Sequence, residues 1–287
     1  MSKDIKLIAL DLDGTTLDSG SKITDENLRT LEAASEKGIH VVVYTGRVWN
    51  SLPDEISKMK NLEYVVTSNG ATVTELSTGK RIYESNIDPQ AVEEIIEVIR
   101  NEDISVDISV RGQAYIDSAE YFFVKENGCG YRSAEYLLRT REPVDGLYDF
   151  AMRNIEHVEN VNMIFKSSQV QRKMEKVLMK SDRITVTSSM RNNLEIGGEN
   201  TSKADALLFL LDKLGLTRKN LLACGDSPND LEMLQLAEIG VVMGNADEHM
   251  KNQGDYITLS NDESGVAHAV KRFVTVFDRA LAAVGRA

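Results

Sequence analysis

The stretch Leu7-Ile8-Ala9-Leu10-Asp11-Leu12-Asp13-Gly14-Thr15-Thr16-Leu17 decides how the rest of the chain is read. Four apolar residues stop at a carboxylate, a second carboxylate follows two positions on, and then come a glycine and two hydroxyls. A short apolar run bounded by turn residues fits a strand buried on both faces. In an open parallel α/β sheet, ligands bind outside the carboxyl ends of the strands. Asp11 therefore stands at the lip of a candidate site, with Asp13 one step further round the turn. Two carboxylates this close repel each other unless a cation neutralises them, and Mg2+ suits an all-oxygen site. A strand end followed by a solvated Asp-Gly turn is the plainer alternative, and these eleven residues do not choose between them.

Working outward, Thr24 and Asn27 mark the start of a helix whose apolar positions Leu28, Leu31 and Ala34 recur at helical spacing, with Gly38 as its stop. The β-branched run Ile39–Tyr44 is a second strand. Strand, helix and strand within about 40 residues form a βαβ unit, which requires a parallel pair. That second strand ends in Thr45-Gly46-Arg47, ahead of a helix expected from Trp49 to Met59 whose N-terminus would suit an anion. A third strand over Leu62–Thr67 runs into Ser68-Asn69-Gly70-Ala71, and a hairpin turning at Thr78-Gly79-Lys80 follows.

From Ser85 the pattern changes. Asp88-Pro89 caps a helix, and strands are expected at Ser105–Val110, Gln113–Asp117, Asn162–Lys166, Ile184–Ser188 and Asn193–Ile196, with helices between them. Strands returning by hairpins imply an inserted α+β unit with an antiparallel sheet. The α/β alternation resumes near Gly197-Gly198. Lys203 opens a helix, Leu221–Cys224 is a buried strand ending in Gly225-Asp226-Ser227-Pro228-Asn229-Asp230, and Ile239–Met243 and Tyr256–Thr258 are further strands. A closing helix is expected from Gly265 to about Ala283. The expected division is 1–84 and 199–287 for the core and 85–198 for the insert.

Composition narrows the function. The 287 residues carry a net charge of −12, with 42% hydrophobic and 27% charged residues. That acidity argues against binding a nucleic-acid backbone. It does not exclude a small anionic substrate, because a metal and local cations override the global field. No run of about 18 apolar residues is present to span a membrane, and no secretory signal pattern is visible, so a cytoplasmic location is expected. Cys129 and Cys224 show no metal spacing and are expected to be unpaired.

Polar groups thus gather at one edge of one sheet: Asp11 and Asp13; Thr45, Gly46 and Arg47; Lys203; and Asp226, Asn229 and Asp230. Together they resemble the haloacid dehalogenase superfamily of phosphotransferases, and within it the Cof-type sugar-phosphate phosphatases. The motifs match in the family's order: D-x-D-G-T-x-L at Asp11–Leu17, T-G-R at Thr45–Arg47, the lysine at Lys203, and G-D-x-x-N-D at Gly225–Asp230. Ser68–Ala71 and Val242–Ala246 also resemble family segments, whereas the insert matches by position and strand–helix pattern alone. One departure is Ala204, where the family usually has glycine after the lysine.

The resemblance implies a Rossmann-like parallel core with an inserted α+β cap, and a Mg2+-dependent phosphatase acting through an aspartyl-phosphate. Asp11 would be the nucleophile and Asp13 the proton shuttle. Leu12, Thr45, Gly46, Lys203 and Asn229 would bind the phosphoryl oxygens. Asp11, the Asp13 backbone carbonyl and Asp226 would hold the metal, with Asp230 supporting a metal-bound water or the lysine. Arg47 could reach either the phosphate or the substrate body, and Asn69 and the hairpin Arg191–Glu195 are candidates to meet the leaving group. The expected partner is a small phosphorylated metabolite, with no nucleic acid or membrane, and the chain is expected to be a monomer or weak homodimer. Sugar phosphates lead among substrates. FMN or pyridoxal phosphate hydrolysis, a phosphomutase, a binding protein without catalysis, and a phosphoacceptor receiver module are the alternatives.

Overall fold

The computed structural model describes residues 3–274. Among these residues, fourteen strands form two sheets. In chain order they are β1 (Leu7–Asp11), β2 (His40–Tyr44), β3 (Tyr64–Thr67), β4 (Thr72–Glu75) and β5 (Lys80–Glu84). Then come β6 (Ser105–Val110), β7 (Gln113–Asp117), β8 (Arg141–Val144), β9 (Val158–Ile164), β10 (Ile184–Thr187) and β11 (Asn193–Gly198). The last three are β12 (Leu221–Gly225), β13 (Ile239–Val242) and β14 (Tyr256–Ile257). The larger sheet runs β14-β13-β12-β1-β2-β3-β4-β5 and the smaller β10-β11-β9-β6-β7-β8. The six strands from β14 to β3 are parallel, and β4 and β5 close that sheet as an antiparallel hairpin.

The apolar run of β1 has a simple cause. Ile8 and Leu10 point into one cluster with Leu31 and Ala34 of the helix Asp25–Ser35 and Val266, Ala269 and Val270 of the helix Gly265–Phe273. Leu7 and Ala9 point the other way, onto Ala206, Leu207, Leu210 and Leu211 of the helix Lys203–Lys213. A strand covered on both faces has no polar side to show, so it reads as a continuous apolar run. Register then assembles the site. Leu10 pairs with Cys224 and Asp11 with Tyr44, so Asp11, Thr45 and Asp226 all emerge at one sheet edge.

The chain leaves this sheet after β5 and returns to it after β11, which makes the second sheet an inserted cap. Its helices Pro89–Ile99 and Ser168–Leu178 cover one face, burying Val106, Ile108, Val161, Met163, Leu194 and Ile196. With a period of two, the alternate residues Asp107, Ser109, Asn160, Asn162 and Glu195 fall on the opposite face, and that face lines a cavity against Asp11 and Asp13.

Two expectations need correction, and one helix was not foreseen. No α-helix spans Trp49–Met59: two 3-10 turns, Trp49–Ser51 and Asp54–Lys58, flank Pro53, which cannot continue a helix through its missing N–H. No helix N-terminus therefore follows Thr45-Gly46-Arg47. The cap sheet is mixed, because β8 pairs parallel to β7. That strand, Arg-Glu-Pro-Val, lies at the sheet edge, where proline is tolerated and the sequence carries no strand alternation. The helix Leu147–Arg153 was not anticipated either. The expected closing helix is present as Gly265–Phe273, and its continuation towards Ala283 lies outside the described residues.

Candidate active site

Asp11 is buried at the end of β1. Its Oδ1 accepts from Lys203 Nζ, whereas its Oδ2 is buried without a hydrogen-bond partner. Lys203 comes from the first turn of the helix Lys203–Lys213, which is capped by the Ser202 hydroxyl. Its ammonium, itself buried, also donates to Asp230 Oδ1 at 2.6 Å. Ala204 leaves this helix start intact. Asp230 has no free oxygen: its Oδ2 accepts the backbone N–H groups of Asp226 and Ser227, both at 3.0 Å. Asp226 follows β12 and accepts from the Thr15 hydroxyl at 3.0 Å.

Asp11, Asp226 and Asp230 place one carboxylate oxygen each within 4.8 Å of one another. Three carboxylates around one ammonium leave the pocket two positive charges short. The electrostatics register this deficit. Burial and then the Asp230 carboxylate drive the Asp11 carboxyl well above its ordinary range, against the pull of Lys203. Burial and Asp230 push Asp226 up to about 7. The orphaned Asp11 Oδ2 and the clustered Asp226 carboxylate fit a hard divalent cation with oxygen ligands. Gly14 keeps that space open. Its φ is +81°, and a Cβ there would sit 2.5 Å from Asp226 Oδ2.

Asp13 stands apart from this cluster, at the half-open lip. Arg47 grips it with two bonds, Nε to Oδ2 at 2.7 Å and Nη2 to Oδ1 at 2.6 Å. Arg47 is braced in turn by the Ser51 carbonyl and lies over the Tyr136 ring of the cap. Thr45 is buried, and its hydroxyl accepts the Arg47 N–H at 3.1 Å. Leu12 is fully buried between the two carboxylates. Asn229 lines the cavity beside Ser227.

The cavity between core and cap has a volume of about 350 Å³, the size of a site for a small metabolite. Its cap wall is almost wholly polar: Asp107, Ser109, Asn160, Asn162 and Glu195 from the sheet face, with Arg141 and Tyr136 beside them. Burial works to raise the Asp107 carboxyl, but Arg141 and Arg132 outweigh it and hold the group below its usual range. Among the leaving-group candidates, Asn69 is buried, does not line this cavity, and is already engaged by Asn229 and Glu195. Arg191 is exposed at the hairpin tip and does not line the cavity.

Sequence reasoning missed Thr15 as the partner of Asp226, and it missed Asp107, Ser109, Asn160, Asn162, Tyr136 and Arg141. For Asp107 and Ser109 the signal was present, whereas the expected strand Asn162–Lys166 began too late to include Asn160, which lies in β9. Ser-Val-Asp-Ile-Ser-Val alternates, so its polar residues must share the face away from the cap helices. Cys129 and Cys224 are unpaired, and burial pushes the Cys224 thiol up, which leaves it inert. No helix among the described residues is long and apolar enough to cross a membrane.

Comparison with known proteins gives a concordant result. Residues 8–270 match the family model described as haloacid dehalogenase-like hydrolase. A 5-amino-6-(5-phospho-D-ribitylamino)uracil phosphatase of Bacillus subtilis, YcsE, is 30% identical over 271 residues, covering 94% of this chain and 96% of that protein. A haloacid dehalogenase-like hydrolase structure from B. subtilis superposes with a TM-score of 0.83 at 28% identity, covering 94% of this chain and 100% of its own. The subclass IIB sugar phosphatase BT4131 shares the fold, with a TM-score of 0.79 at 21% identity over 93% of this chain and 98% of its own.

Proposed function

This chain belongs to the haloacid dehalogenase-like hydrolases, as a Cof-type phosphatase, and from that premise we propose that it hydrolyses a small, hydroxyl-rich phosphate monoester through an aspartyl-phosphate on Asp11. The observation that carries the reading is the state of Asp11. One oxygen is anchored by a buried lysine, the other is buried and unpartnered, and the carboxylate belongs to a cluster with Asp226 and Asp230. We assign 1–84 and 199–287 to the hydrolase core and 85–198 to the cap.

Phosphoryl transfer needs in-line attack, neutral surroundings for the phosphoryl oxygens and a proton for the leaving group. Asp11 attacks phosphorus, and the bond to the leaving oxygen breaks. Asp13, at the lip and on the cavity side, gives that oxygen its proton, then takes one from the water that attacks the acyl-phosphate and frees Asp11. The bidentate pair with Arg47 is the ionised form of Asp13, the form that takes the proton from water. Lys203, Thr45, Asn229 and the backbone N–H groups of Leu12 and Gly46 bind the phosphoryl oxygens. Mg2+, held by Asp11, Asp226 and the Asp13 carbonyl, would supply the missing positive charge. Asp230 orients Lys203 and the Asp226–Ser227 backbone. Arg191 has no part in this scheme.

The cap wall supports the substrate class. The Asp107 carboxylate, the Asn160 and Asn162 amides and the Ser109 hydroxyl on one sheet face match a polyol, which offers a donor and an acceptor at every carbon. A sugar phosphate and a ribityl phosphate both meet this description, the latter being the portion that the B. subtilis relative's named substrate carries next to its phosphate. The test is Mg2+-dependent phosphate release from a panel of sugar phosphates, 5-amino-6-(5-phospho-D-ribitylamino)uracil, FMN and pyridoxal phosphate. The reading expects turnover on a polyol phosphate and little on pyridoxal phosphate. No release from any member, with the fold intact and Mg2+ bound, would reject it.

A further inference from the structure

The turn after β3 joins the cap to the phosphate end of the core. Ser68 and Asn69 both adopt left-handed backbone, with φ of 53° and 56°. They are held there by N–H donations to the Arg47 and Thr45 carbonyls at 2.9 and 3.1 Å. Asn69 is buried and its amide spans two elements: Nδ2 donates to Glu195 Oε2 of the cap, and Oδ1 accepts from Asn229 Nδ2 at 2.9 Å. Glu195 Oε1 accepts from Ser189 Oγ and from Asn193 Nδ2, the latter at 2.7 Å. Gly46 admits this packing, since a Cβ there would lie 3.0 Å from Asn69 Oδ1 and 3.3 Å from Glu195 Oε2.

The chemistry of the groups fixes the direction of this chain. A carboxylate only accepts, whereas an amide has one accepting and one donating end. Glu195 therefore forces Asn69 to turn its Nδ2 to the cap and its Oδ1 to Asn229. Asn229 must then turn its Nδ2 towards Asn69, while its Oδ1 accepts from Ser227 Oγ at 2.7 Å. One N–H of Asn229 is spent on Asn69, and the second is left for a phosphoryl oxygen. We infer that Glu195 and Asn69 are positioning residues: the seated cap sets the polarity of two amides in series, so that Asn229 presents a donor to the phosphoryl group. This rests on the proposed role of Asn229 and adds what aims it.

Isosteric exchanges test the inference without changing side-chain volume. Asn193 Oδ1 already accepts from Ser188, Ser189 and Met190, so Asn193 must keep its Nδ2 towards residue 195. In Glu195→Gln the new amide then turns its Nε2 to Asn69, reverses both amides and withdraws the donor. In Asn69→Asp two carboxylates meet. Each single variant should lower kcat about 10- to 100-fold, the worth of one buried hydrogen bond to a charged group. The double variant Glu195→Gln, Asn69→Asp restores the order of donors and acceptors, because the carboxylate introduced at position 69 accepts from both sides, and should recover to within about threefold of wild type. Ser68→Gly, at the same turn but off this path, should leave kcat unchanged, and Glu159 keeps Arg81 as a partner in that variant. Losses that add in the double variant, or singles indistinguishable from wild type while wild type turns over, would overturn the inference. A rise in KM without loss of kcat would overturn it too, by making Glu195 a direct substrate contact. Wild-type protein that releases no phosphate from the substrate panel would instead overturn the phosphatase reading beneath it.

Discussion

Withdrawing divalent metal should destabilise this protein far more at pH 8 than at pH 5. In metal-free protein, burial and Asp230 push Asp226 up to about 7, from an ordinary value of 3.8. The folded state then binds the proton more tightly than the unfolded chain does. For a carboxyl raised in this way, the contribution to stability is fully present below the unfolded pKa and is lost as pH rises through the folded pKa. Each pH unit between the two is worth about 1.36 kcal/mol. The whole displacement is therefore about 4 kcal/mol, of which about 3 kcal/mol falls between pH 5 and pH 7. A bound Mg2+ keeps the carboxylate ionised and removes that loss. A chain of this length gains about 2 °C in Tm per kcal/mol, so the rise in Tm from excess Mg2+ over EDTA should be about 5 °C larger at pH 8 than at pH 5. Thermal denaturation followed by circular dichroism at the two pH values, in constant ionic strength, measures this difference. An equal rise at both, or no rise at either, would refute the argument that the cluster lacks two positive charges.

Asp13→Asn should cut turnover about 100- to 10,000-fold, the usual worth of a general acid, while the Mg2+-dependent rise in Tm persists, since in the proposed scheme this residue would lend the metal only its backbone carbonyl. Lys203→Met leaves the carboxylates of Asp11 and Asp230 buried without their ammonium, and denaturant titration in EDTA should show a loss of roughly 3–5 kcal/mol; adding Asp230→Asn should recover part of it. Gly14→Ala drives a methyl onto Asp226 at a left-handed backbone position, and calorimetry should show Mg2+ binding weakened at least tenfold.

How much was legible in the sequence follows from where each signal comes from. The core strands announce themselves because a parallel strand buried on both faces must be apolar throughout, and the runs of β1, β2 and β12 end at residues that line the site. Pro53 and the charged strand β8 were harder. In the first, a proline overrode a helical expectation; in the second, edge pairing rather than side-chain pattern makes the strand. The cap wall was half legible. Alternation in β6 and β9 assigns Asp107, Ser109, Asn160 and Asn162 to one face, but only the sheet order shows that this face looks at Asp11. Asn69 and Glu195 lie 126 positions apart, and nothing local to either foretells their bond. Arg47 illustrates the same limit: the T-G-R motif places it at the sheet edge, but its grip on Asp13 is a property of the folded chain.

The covalent role of Asp11 is tested most directly by rapid acid quench. Wild-type protein is mixed with a phosphorus-labelled substrate and Mg2+ and stopped within milliseconds, and the labelled peptide is identified. The account predicts phosphoprotein that is stable in acid, cleaved by hydroxylamine, formed in a burst before steady-state phosphate release, and located on Asp11. Steady phosphate release with no labelled protein at any time, or label on another residue, would contradict it.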